Sequence, residues 1–272
     1  LELGLLDVDS YLPKSEKTTP DNATRWPVEQ LHTFEVQGKL HAQELRIAKI
    51  PHTNVVLPFT LKSGVFTAEP VAARVCGGEV SAIFRTEATP RGALTRLQYT
   101  LTQARKQDTL LSGSGTLTTD IHALLRSSAD IPSALNGTWA FRINDGSLDP
   151  QKPLPANARS RFFSLGASGT LTSGVLNSRD LALAGAGLAV HGQGSINLVN
   201  WTLDYDILAS GTGMPDIPIR YHGSLDDPKR SIDALRVIGN TLGTIGSGIL
   251  GIIDDVLSAP LKIIGPPRGQ HH

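Results

Sequence analysis

The chain has 272 residues, enough for one large or two small domains with a sizeable core. Its 25 basic and 25 acidic residues cancel, so no net field favours nucleic acid or an anionic surface. The single cysteine, Cys76, excludes an internal disulfide and a cysteine-based metal site, and a chain without disulfides fits cytosol and periplasm alike.

Gly (27) and Pro (17) are frequent, and Thr, Ser, Val and Leu recur in short runs, which reads as many strands and turns. Residues 1–30 read as an initial strand followed by a polar linker, with a Pro-punctuated loop over 13–27. The chain begins at Leu1 rather than Met, which reads as a processed protein or an excised fragment whose targeting or anchoring segment lay upstream.

From 31 to 228 two-residue alternation dominates and predicts a β domain. Phe34, Val36, Gly38, Leu40 and Ala42 share one face, and Glu35, Gln37, Lys39 and His41 share the other. Val55, Leu57, Phe59 and Leu61 repeat the pattern, as do Leu97, Tyr99 and Leu101. Near the end, Trp201, Leu203, Tyr205 and Ile207 alternate with Thr202, Asp204 and Asp206. One apolar and one wet face per strand is the mark of an antiparallel sheet. Gly38-Lys39-Leu40 is echoed by Gly115-Thr116-Leu117, Gly169-Thr170-Leu171 and Gly223-Ser224-Leu225. Glycines inside strands permit the bends and bulges that would curl a long sheet into a trough.

Two helices interrupt the pattern. A short one is predicted over 128–136, with Ser128 and Asn136-Gly137 as caps, ahead of a second loop over 145–158. The other is an amphipathic helix over 231–257, within a C-terminal segment of 229–265 that precedes a disordered tail of 266–272. Leu235, Ile238, Leu242, Ile245, Ile249, Ile252 and Val256 step by three and four onto one face, and Pro260 ends the segment. Five glycines weaken this helix, so it requires an apolar surface, whether bilayer, groove end or core.

Catalytic and metal-binding patterns are absent from the sequence. His32, His41, His52, His122, His191 and His222 are scattered singly, and His271 and His272 sit at the extreme end, so no ligand pair forms at metal spacing. Asp204 and Asp206 would stand about 7 Å apart on one strand face, a glycosidase-like separation. They read instead as a solvated face, because glycosidase pairs come from different strands lining an aromatic cleft. Ser168 and Ser247 lie outside any Gly-x-Ser-x-Gly motif. Gly185-Ala186-Gly187 and Gly192-Gln193-Gly194 lack the third glycine of a dinucleotide loop. Cys76 reads as a buried strand residue. The sequence therefore predicts no enzyme, no metal and no cofactor.

Several segments taken together resemble the C-terminal region of the AsmA family of bacterial envelope proteins. They are Leu6-Asp7-Val8-Asp9-Ser10-Tyr11-Leu12-Pro13; residues 38–50 leading into Val55-Val56-Leu57-Pro58 and Ser63-Gly64-Val65-Phe66; residues 69–82, in which Cys76 stands where the family often has Tyr; Gly113-Ser114-Gly115-Thr116-Leu117, residues 133–138 and Asn144-Asp145-Gly146; and residues 192–198, Leu203-Asp204-Tyr205 and residues 217–228. The resemblance spans nearly the whole chain in the family's order, and its motifs are turns and strand ends.

The resemblance implies a mainly β fold: a long curved antiparallel sheet forming an open groove or incomplete barrel. The family is similar to bridge-like lipid-transfer proteins, whose acyl chains ride in the groove while headgroups stay wet. It implies a periplasmic protein tethered to the inner membrane by an upstream segment and acting in outer-membrane homeostasis. The partners expected are lipid, a membrane surface and other envelope proteins, and not nucleic acid. On this reading Val36, Leu40, Leu57, Phe59, Leu101, Leu203 and Tyr205 line the lipid groove. Two other functions are open to the sequence: an assembly factor for outer-membrane protein or lipopolysaccharide insertion acting through protein contacts, and a glycan-active β-sandwich using Asp204, Asp206 and Glu79.

Overall fold

A computed structural model describes residues 1–7, 10, 31–47, 50–104, 111–127, 131–148, 160–185, 188–211 and 216–232. Their strands are β1 (Glu2–Asp7), β2 (Val36–Ile47), β3 (Ile50–Lys62), β4 (Val65–Val75), β5 (Gly78–Thr89), β6 (Gly92–Ala104) and β7 (Leu111–Leu125), then β8 (Asn136–Leu148), β9 (Ser160–Thr172), β10 (Val175–Gly185), β11 (Leu188–Asn197), β12 (Thr202–Gly211), β13 (Ile217–Ser224) and β14 (Pro228–Ile232). One helical turn, α1 (Ile131–Ala134), joins β7 to β8. All 14 strands form a single open, curved sheet in sequence order. From β2 onward every pairing is antiparallel, while β1 lies parallel to β2 with Leu3 opposite Ala42.

Turn chemistry sets the short connections. Lys62 and Val65 are joined through Ser63-Gly64 (φ 52° and 77°), Val75 and Gly78 through Cys76-Gly77 (48° and 74°), and Thr172 and Val175 through Ser173-Gly174 (49° and 78°). Two positive φ values in a two-residue loop give the type I′ turn, whose twist matches that of the flanking strands. This corrects the expectation for Cys76, which is an exposed turn residue and not a buried strand residue. The register shifts within β4, between Ala68 and Val71, and within β10, between Ser178 and Leu181. Such bulges bend a strand and steepen its twist, which curves the sheet.

Three element boundaries move. The helix expected over 128–136 is the single turn α1, and Asn136 opens β8 instead of closing the helix. Its side chain still acts like a cap. Nδ2 donates to the Ala134 carbonyl at 2.8 Å, and Oδ1 accepts from the Ser173 N–H at 3.0 Å, tying α1 to the β9–β10 hairpin. β8 runs on through Asp145 and Gly146 to Leu148, past the expected start of the second loop. Ser231 and Ile232, expected to begin the C-terminal helix, belong to β14, where Ile232 pairs with Ile219. The predicted helix face (Leu235, Ile238, Leu242, Ile245, Ile249, Ile252 and Val256) and the loop over 13–27 lie outside the described residues.

Register carries the alternation across the whole sheet. One transverse row of directly paired residues reads Phe59, Ala68, Phe84, Leu97, Ile121, Gly137, Leu171, Leu176, Ile196 and Leu203, from β3 to β12. Another on the same face reads Ala73, Val80, Leu101, Leu117, Phe141 and Ala167, from β4 to β9. On the opposite face a row reads Gln98, Asp120, Thr138, Thr170, Asn177, Ser195, Asp204, His222 and Lys229, from β6 to β14. The sheet thus has an inner, apolar face and an outer, polar one.

Candidate groove face

All seven predicted groove residues stand on the inner face. Leu40 pairs directly with Leu57, Val36 pairs with Leu61 two positions from Phe59, and Leu101 sits between Val80 and Leu117. They do not share one environment. Leu203 and Tyr205 are each 6% exposed, inside a cluster with Leu165, Leu181, Ile207, Ile219 and Tyr221 that fills the face of β9–β13. A second cluster of smaller side chains, Ala42, Leu45, Val55, Ala73, Val75 and Val80, packs under β1. Leu57 and Leu101 are partly buried against this second cluster, Phe59 and Leu97 are partly buried outside both, and Val36 is 46% exposed at the start of β2. The inner face is filled over β9–β13, while over β3–β8 its larger side chains stay partly exposed, those of β8 resting against the C-terminal cluster.

Phe66, Phe84, Leu97, Leu117, Trp139 and Phe141 stand on the same face and are not among the groove residues expected from the sequence. Their signal was available in the alternation of Val80, Ala82, Phe84, Thr86 and Ala88 on β5, and of Trp139, Phe141 and Ile143 on β8. Phe59, Phe66 and Phe84 form a run of ring contacts at 6.1 and 6.0 Å, and Trp139 stacks on Phe141 at 6.2 Å. The residues of the inner rows over β3–β8 carry no charge. Thr86 and Thr95 hydrogen-bond each other at 3.1 Å and so neutralise their own polarity. Glycines let aromatic rings lie against the backbone: Gly38 sits beneath the Phe59 ring, and Gly169 lies beside that of Trp139.

A third inner row, between the two apolar ones, reads Ala82, Tyr99, Thr119, Trp139, Gly169, Ser178, Gly194, Tyr205 and Tyr221. Its C-terminal members are satisfied within the protein. Ser178 is hydrogen-bonded to the Tyr205 phenol and donates to Asp180 Oδ1 at 3.0 Å. Asp180, in the β10 bulge, also accepts from the Ser168 N–H at 2.7 Å and from the Ser168 hydroxyl. Burial pushes the Asp180 pKa up, but the hydrogen bonds from Ser168 and Ser178 outweigh it and leave the carboxyl below its ordinary value. Burial raises the Tyr205 phenol, as it does that of Tyr99. The Trp139 indole Nε1 is buried and has no hydrogen-bond partner.

The titratable residues considered for chemistry stand elsewhere. Asp204 and Asp206 are exposed on the outer face, where Arg220 holds Asp204 through two bonds at 3.0 and 2.8 Å and reaches Asp206 at 3.9 Å. Glu79 is also exposed, opposite Arg74 and Thr102. The Asp120 carboxyl is held below its ordinary value by hydrogen bonds from Arg96 and Gln98. His41, His122, His191 and His222 are exposed, while His52 places Nδ1 3.1 Å from its neighbour Ile50's carbonyl. Among the described residues no group of three His, Cys, Asp or Glu gathers to hold a metal, and no helix is long and apolar enough to cross a membrane.

Compared with known proteins, the chain matches no family model, no curated protein and no solved structure.

Proposed function

We propose that this chain is a non-enzymatic envelope protein of the AsmA type that holds or transfers phospholipid between inner and outer membrane. Acyl chains would lie against the inner face of β3–β8, with headgroups toward solvent. One observation carries the reading: an uncharged apolar face, rich in aromatic rings, stays partly exposed across six strands of an open sheet. Monomeric proteins rarely leave such a continuous patch uncovered without a ligand or partner for it. Each methylene removed from water gains about 0.8 kcal/mol, so half-burying a chain of about a dozen methylenes gains on the order of 5 kcal/mol before ordering costs.

The test compares neighbouring residues on opposite faces. Purified chain is incubated with phosphatidylglycerol vesicles carrying labelled lipid, and protein-bound lipid is measured after separation. Uptake is expected for the wild type and for Ile83→Glu, whose side chain is 40% exposed on the outer face. Phe84→Glu, which puts a charge on the inner face, is expected to abolish it. No uptake by the wild type, or equal uptake by both variants, overturns the proposal.

The assembly-factor reading is favoured by a different feature. β1 is an edge strand, and its Leu5 is 54% exposed. An open strand edge can accept a strand from a partner. Crosslinking from position 5 inside the envelope distinguishes the two, since a stable protein neighbour is required only by this second reading.

A further inference from the structure

We propose that the groove face contains a subsite for the ester carbonyl of a bound acyl chain, with the Trp139 indole N–H as its donor. The inference rests on the lipid-groove reading and adds which part of the lipid is recognised. Apart from Thr86 and Thr95, which bond each other, the hydrogen-bonding side chains of the three inner rows over β6–β8 lie in the middle one: Tyr99, Thr119 and Trp139, in directly paired positions on β6, β7 and β8. The flanking rows are apolar, with Leu101, Leu117 and Phe141 on one side and Leu97, Ile121 and Gly137 on the other. Successive inner positions on a strand are about 7 Å apart. A polar atom seated on the middle row therefore has apolar wall on both sides, as the carbonyl that joins an acyl chain to its headgroup requires.

Within that row the Trp139 Nε1 is distinctive. It is buried and unpartnered, whereas the Trp201 Nε1 donates to Asp226 at 3.1 Å. A buried donor without an acceptor is costly, so a ligand oxygen that satisfies it is favoured beyond its apolar contact. An oxygen reaches this buried nitrogen only when the ring turns out of its stack on Phe141, and the proposal includes that turn. The ring's neighbour Gly169 has no side chain, and a Cβ built there would lie 3.1 Å from Trp139 Cζ2. The acceptor must be neutral. The three inner rows supply no cation over β3–β8, and an unpaired phosphate or carboxylate buried there would be strongly disfavoured. A carboxylic ester carbonyl meets these conditions, and it is shared by phospholipids and diacylglycerols.

The experiment uses the whole chain and matched lipids. Binding of labelled dipalmitoyl phosphatidylcholine is compared with that of its di-O-hexadecyl analogue, which keeps headgroup and chains but lacks both carbonyls. The wild type is expected to favour the ester by roughly fivefold, the ratio of one ordinary hydrogen bond. Trp139→Phe is expected to bind both lipids equally, at the wild-type affinity for the ether. Replacing Trp139 alone with 3-benzothienylalanine, which keeps the ring's shape and loses only the N–H, should do the same and stands in if Trp139→Phe fails to fold. A dipalmitoylglycerol and dihexadecylglycerol pair should show the same ratio, and a ratio confined to the phosphocholine lipids makes the carbonyl's effect depend on the headgroup and overturns a subsite that recognises the carbonyl itself. A wild type that binds both lipids without preference, or a variant that keeps the preference, also overturns it while leaving the groove reading standing. If the wild type binds neither lipid, the groove reading itself fails and the subsite with it.

Discussion

Leu97 and Leu203 stand in the same transverse row, on the same face and at equivalent register, yet the first is partly exposed and the second only 6% exposed. Truncating each to alanine measures how the two halves of the inner face differ. Leu→Ala removes three carbon atoms, about 2.4 kcal/mol of transfer free energy when the site is fully buried. At Leu203 the surrounding Tyr205, Ile219 and Leu225 belong to one packed cluster, so a cavity remains and the total rises to about 3–4 kcal/mol. At Leu97 the side chain already borders open space, solvent enters where the atoms were, and the loss should be about 1 kcal/mol. Urea unfolding of both variants, compared at unchanged m-value, reads the difference directly. A gap of roughly 2 kcal/mol supports an accessible wall on β6. Equal losses would refute the reasoning, because they would mean that the face of β6 is packed as tightly as that of β12 and has no room for a ligand.

Asp180→Asn should lower stability at neutral pH by at most about 1 kcal/mol, given its exposed position. The folded-state pKa of Asp180 is lowered, so its contribution is present above the unfolded value of about 3.9 and fades as pH falls through the folded one. The gap to wild type should therefore close below about pH 4 in acid titrations of the urea midpoint, and a gap independent of pH would contradict the assignment. Cys76→Asn should raise stability by roughly 0.5–1 kcal/mol, because Asn tolerates the φ of 48° in this turn better than Cys; a lower thermal midpoint would count against it. The double change of Asp204→Asn and Asp206→Asn, on the exposed outer face, should leave lipid uptake unchanged and shift stability by less than about 1 kcal/mol. Loss of uptake in that variant would place function on the wrong face for a groove.

The two-faced sheet was legible because each strand carries its own proof: Leu203, Tyr205 and Ile207 alternate with Asp204 and Asp206 whatever lies beside them. The features that escaped are those requiring knowledge of a neighbour. Nothing local in Glu2–Asp7 announces that β1 pairs in parallel with a strand some 30 residues on. Ser178, Arg179 and Asp180 break the alternation of β10, and only the shifted register shows that this is a bulge and not a loop. Cys76-Gly77 hides its turn in the sequence because the type I′ signature is usually Asn-Gly or Asp-Gly, and Cys beside Val75 passes for an apolar strand position. Trp139 gave no hint of its place in a polar row, since that row exists only once the registers of β5 to β13 are fixed in series.

Glycines inside the strands explain how so aromatic a wall can stay thin. A Cβ at Gly38 would stand 2.7 Å from the Phe59 ring, and one at Gly194 would stand 2.6 Å from that of Tyr205. In both places the ring occupies the space a neighbouring side chain would have claimed, so it lies along the sheet instead of projecting from it. A flattened ring covers backbone that would otherwise be wet and leaves the space above the sheet free. Where such rings stand among bulkier partners, as Tyr205 does beside Leu181, Ile207 and Tyr221, the inner face closes into a core. Where they stand among Ala68, Phe84, Leu97 and one another, it does not. One alternating pattern therefore builds both a filled half and an accessible one, and the identity of the inner residues, rather than any change of topology, decides which half is which.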